Sequence, residues 1–95
     1  MRHIVHEELG DASDALRDAS EAAQTDELRE RLHERSDALA TLADKERKPD
    51  HGRLAREDGI LRDVLADHDA TEEVSENVET AREKIREFRE DLPGV

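Results

Sequence analysis

The chain has no cysteine, tryptophan or tyrosine, and beyond five histidines its only aromatic ring is Phe88. Without cysteine there is no disulfide to staple the fold, no thiolate nucleophile and no thiolate metal site. Without tryptophan or tyrosine there is no aromatic platform for single-stranded nucleic acid. No apolar run approaches the roughly 18 residues of a membrane span, and the opening "MRHIVHEELG" is too acidic and too poor in apolar residues for a secretory leader. The four serines, Ser13, Ser20, Ser36 and Ser75, lie in helical stretches rather than at a strand-to-helix elbow. Carboxylates are too abundant for any chance pair to signal acid–base chemistry. The expectation is a soluble, cytoplasmic, non-enzymatic protein that binds neither membrane nor nucleic acid.

What is abundant is charge. In 95 residues, 27 acids face 15 bases, giving a net charge of −12, and 12 of the bases are arginine. Such a composition fits either a disordered chain or a folded one suited to molar salt. At about 1 M salt the Debye length falls to about 3 Å, so repulsion between exposed carboxylates is screened. Salt also strengthens apolar burial, so a thin aliphatic core can suffice. Disorder would blur hydrophobic periodicity, and periodicity therefore decides between the two.

The periodicity is clear. Val5, Leu9, Ala12, Leu16, Ala19 and Ala23 repeat at spacings of four and three, one stripe along a helix. The stripe restarts out of phase at Leu28, Leu32, Leu39 and Leu42, with Arg35 and Ser36 interrupting it. A turn is expected near Gln24, with Thr25 capping the second helix and Asp26 and Glu27 in its first turn. Pro49 bars helical geometry at Lys48, so Asp50 can cap a third helix carrying Leu54, Leu61 and Leu65, widened by Ile60 and Val64. Thr71 caps a fourth, with Val74, Val78, Ala81, Ile85, Phe88 and Leu92, ended by Pro93 and Gly94. A weak repeat lays "ALRD" (15–18) over "ILRD" (60–63). The expected architecture is all-α: one domain, residues 1–95, forming an antiparallel up-down-up-down four-helix bundle of two helical hairpins, 3–46 and 53–92, joined by a hinge at 47–52. The core is small, and pairing into a homodimer would bury more of it.

The hinge carries the one basic stretch, "KERKPDHGRLAR" (45–56), with five bases against two acids, so the remainder sums to −15. Lys45, Arg47 and Lys48 are expected to close the second helix, where cations suit the dipole, and Gly52 to ease the backbone at the next helix start. Arg47, Lys48, Asp50, His51, Arg53 and Arg56 form the candidate interaction surface for a protein partner of unknown identity. An alternative is a ligand-binding or regulatory site at this end. It would hold an anion on Arg53 and Arg56 at the helix start, or a metal ion on His3, His6 and His51. No motif singles out a metal set or any cofactor. Glu30 and His33 have the Glu-x-x-His spacing of di-metal bundles, but only once and off the leucine stripe.

At Pro49-Asp50-His51-Gly52-Arg53-Leu54-Ala55-Arg56 the chain resembles a group of short, uncharacterised proteins from salt-loving archaea, a domain of unknown function. They are similar along most of their length: an acidic, alanine-rich helical pair, this octapeptide, then a second acidic pair ending near "YRETVEGV". Here the ending is "FREDLPGV", with Phe88 at the usual tyrosine and Pro93 as a departure. The resemblance implies cytoplasmic life in high salt and brings no activity, ligand or active residue. The leading expectation is therefore a small helical interaction or accessory protein of a halophilic cytoplasm.

Overall fold

A computed structural model describes residues 5–93. It contains four helices and, among the described residues, no strand: α1 (Glu7–Ala22), α2 (Asp26–Asp44), α3 (His51–His68) and α4 (Glu72–Glu90). Three starts carry the expected side-chain caps. Thr25 Oγ1 accepts from the Leu28 amide at 3.1 Å, Asp50 Oδ1 from Arg53 at 2.8 Å, and Thr71 Oγ1 from Val74 at 3.3 Å, each satisfying an amide that has no partner within its helix. Asp69 ends α3 in the left-handed region, φ 48°, a conformation that aspartate tolerates better than most residues.

The helices run up, down, up and down around one core, each packed on its two neighbours in the ring. Leu9, Leu16, Leu28, Leu32, Leu54, Leu61 and Ile85 are all but fully buried in it. Gln24 Nε2 donates to the carbonyls of His68 and Asp69, which ties the two short turns together at one end. His6 meets Phe88 at the other end, where the α2–α3 connection also lies.

α1 lies closest to its neighbours, α2 and α4. Its buried face includes Gly10, Ala12, Ser13, Ala15, Ala19 and Ser20, and small side chains let helix axes approach. α3 buries Leu54, Leu61 and Val64 and stands farther from α2 and α4. The two halves are thus unequal: α1 packs as closely on α4 as on its own hairpin partner.

Three details differ from expectation. Val5 does not open the first stripe: α1 begins at Glu7, Val5 is 37% exposed, and His6 turns inward. Arg35 and Ser36 do not interrupt the second stripe. Ser36 is fully buried, and Ser13 and Ser36 exchange hydrogen bonds with each other's carbonyls at 2.8 and 2.9 Å. This reciprocal pair satisfies two buried hydroxyls and fixes the register of α1 on α2. Finally, α2 stops at Asp44, so Lys45 is its C-cap and Arg47 and Lys48 lie beyond the last turn.

Candidate functional site

Pro49 cannot donate a backbone hydrogen bond, and Lys48 before it is held out of the helical region. The chain therefore crosses from α2 to α3 as an open connection, residues 45–50. Lys45, Arg47 and Lys48 on this connection are exposed, as are Arg53 and Arg56 on the first turns of α3. Arg53 Nε lies 3.6 Å from Glu57 Oε1. Arg47, Lys48 and Arg56 make no ion pair among the described residues. Along the helix bodies Arg29, Arg31, Arg35, Arg82 and Lys84 each hold a carboxylate, whereas Arg17, Arg62, Arg86 and Arg89 make no ion pair among the described residues. Hydrogen bonding to Asp58, opposed by burial and aided by Glu79, raises the Arg82 pKa. A hydrogen bond to Glu87 raises that of Lys84.

Two adjoining depressions open at this end. One, about 400 Å³, is lined by Arg47, Lys48, Pro49, Asp50, His51, Leu92 and Pro93. The other, about 420 Å³, shares Arg47 through Asp50 and adds Leu42, Lys45 and Arg53. The segment that follows α4 thus joins the hinge, a contribution absent from the sequence-derived set. Arg89 of α4 reaches the same place, its Nε donating to His51 Nδ1 at 3.3 Å. Glu90 and Asp91 are exposed beside Leu92.

Of the candidate residues, Arg47, Lys48, Asp50 and His51 line the first depression, and Arg53 joins Arg47, Lys48 and Asp50 in the second. Arg56 lines neither. Gly52 has no positive φ, and a Cβ there would meet only Asp50 Oδ1 at 3.5 Å, so the helix start does not require glycine. Asp50 itself occupies the helix start and caps Arg53, which places a carboxylate where an external anion would seat. Of the histidine set, His3 lies outside the described residues. His6 is 7% exposed and packs edge-on against Phe88, ring centroids 5.3 Å apart, with Nε2 unpartnered. His51 is engaged by Arg89. Among the described residues no group of three histidine, cysteine, aspartate or glutamate side chains is placed to hold a metal ion. His33 pairs with Asp37 at 3.4 Å and lines, with Glu30, an open groove between α1 and α2.

One connection sequence reasoning missed lies behind this end. Glu57 is 1% exposed, and both its oxygens accept from Arg35 Nη1 at 3.1 and 3.0 Å. This pair ties α3 to α2 nearly two turns into α3, behind the connection.

The fold and site define a small antiparallel four-helix bundle with a cationic, proline-bordered end on an otherwise acidic body. Among the described residues no helix is long and apolar enough to cross a membrane. The chain belongs to the family of unknown function DUF7553, whose profile matches residues 4–91. No curated protein and no solved structure matches it.

Proposed function

We propose that this chain is a non-enzymatic interaction or accessory module of a high-salt cytoplasm, and that it engages a protein partner through the hinge end. The observation that carries the reading is the concentration of unpaired cations around two adjoining depressions. Arg47 and Lys48 line both, beside Asp50, and make no ion pair among the described residues, while five of the nine helix-body cations are tied into ion pairs. A cation held by its own neighbour has little left for a partner, whereas an unpaired one at a rim is available for an ion pair at contact, which salt screens least. The high-salt setting rests on the net charge of −12 and on the small-residue core, both of which gain from screening and from stronger apolar burial.

Affinity capture from a molar-salt lysate tests the reading, comparing the natural chain with an Arg47→Glu/Lys48→Glu/Arg56→Glu variant of matched melting temperature. Loss of a specific co-purifying protein with the variant is the expected result. Equal recovery of the same partner by both chains would remove the hinge end as the working surface.

A further inference from the structure

We infer that the hinge end takes an acidic peptide segment bearing one aliphatic side chain; this rests on the reading that the hinge end is the working surface. The first depression has an apolar floor of Pro49, Leu92 and Pro93 and a rim on which Arg47 and Lys48 face the single carboxylate of Asp50, with His51 completing the lining and Glu90 and Asp91 exposed nearby. Leu92 is half-buried against the core and offers its remaining surface to the depression. A floor of this kind gains from receiving an aliphatic group, because apolar area leaves water. The rim supplies the charge. Proline has no backbone N–H, and Asp50 caps the Arg53 amide and sets its own carboxylate at the start of α3, so a compact anion is not favoured there. Recognition falls to long, mobile cationic side chains spread over two depressions. That suits carboxylates distributed along a segment better than a single phosphate.

Charge elsewhere sets the orientation. Residues outside 45–56 sum to −15, since the segment itself contributes five bases less two acids to a total of −12. An acidic partner is repelled by most of the surface and accepted at one end, which gives specificity through the rejected approaches as much as through the accepted one. Nucleic acid, the other polyanion that cations attract, fits poorly: the depression offers a base no ring to stack on but His51, which Arg89 already engages, and a phosphate backbone offers nothing to the apolar floor.

The test is a fluorescence-anisotropy titration of the full chain with a labelled peptide, Glu-Asp-Leu-Glu-Asp, at the lowest salt at which its circular dichroism equals that at about 2 M, so that the chain is folded and screening is least. Saturable binding is expected. It should weaken at least about tenfold when the peptide acids become amides or its leucine becomes alanine, each change removing on the order of 1.4 kcal/mol. Arg47→Glu/Lys48→Glu should weaken it by at least as much and Leu92→Asp severalfold, while Lys84→Glu, a charge reversal elsewhere on α4, leaves it within about twofold. The peptide substitutions use the unaltered protein, so the test survives a variant that fails to fold. No saturation up to about 1 mM peptide, indifference to the leucine, or equal binding of a DNA oligonucleotide would each overturn the inference. The capture experiment separates this from the functional reading. A partner lost on charge reversal without any peptide binding leaves the hinge end in use and this ligand class wrong.

Discussion

Replacing Arg35 by methionine should destabilise the bundle by about 3 kcal/mol, and replacing its partner as well should restore most of that loss. The Glu57 carboxylate is 1% exposed, and both its oxygens accept from Arg35 Nη1, while the side chain of Arg53 is half-exposed with its Nε 3.6 Å away. Removing Arg35 leaves a buried carboxylate with one weak partner, and breaking such pairs from one side costs about 3–5 kcal/mol. The lower figure applies because Arg53 can move closer. Glu57→Gln should cost less, about 1 kcal/mol, since the Arg35 side chain is 24% exposed and can recover solvation. Arg35→Met with Glu57→Leu removes both charges, and the double variant should return to within about 1 kcal/mol of the natural chain. The assay is equilibrium urea unfolding at fixed salt, followed by helical circular dichroism and closed as a double-mutant cycle. A 3 kcal/mol loss lowers the folded-to-unfolded ratio by roughly two powers of ten, well outside the error of the method. An Arg35→Met cost below about 0.5 kcal/mol, or a double variant no better than the sum of its parts, would refute the reasoning and place Glu57 in water.

Gly59 lies mid-helix in α3 with no positive φ, and a Cβ added there meets nothing within 4 Å. Gly59→Ala should therefore stabilise by up to about 1 kcal/mol in thermal or urea melts; a loss would mean that the face of α3 is covered in solution. Ser13→Ala should cost about 1 kcal/mol by stripping the buried Ser36 hydroxyl of one of its partners, and Ser13→Val about 1–3 kcal/mol by forcing α1 from α2, both read as shifts in the urea midpoint. Equal costs for the two would show that helix separation is not limited at Ser13. Helical ellipticity at about 0.1 M salt should be lower than at about 2 M, because repulsion among 27 acids is then unscreened; identical spectra would remove the salt dependence.

Most of the architecture was legible because α1 and α4 bury residues at strict four-three spacing, and because Thr25, Asp50 and Thr71 are capping residues placed just ahead of those runs. Periodicity failed where burial did not follow hydrophobicity. Ser36 and Glu57 occupy inward positions as polar residues whose partners, Ser13 and Arg35, lie 23 and 22 residues away, and no local pattern announces such pairs. Val5 fitted the stripe by spacing, but the helix starts two residues later and the buried position passes to His6. The basic half of the candidate site was visible as a charge run. The apolar half was not, because Leu92 and Pro93 read as the end of a stripe, and only the antiparallel ring of helices brings them beside Pro49.

The central claim, that the cationic end of the bundle is where this protein meets its partner, is tested most directly by amide chemical-shift mapping of the full chain during titration with the acidic leucine peptide. The account predicts shifts confined to residues 45–56 and 89–93, with the helix bodies unmoved. Shifts centred on the open groove between α1 and α2, around His33 and Glu34, or scattered over all four helices, would contradict it.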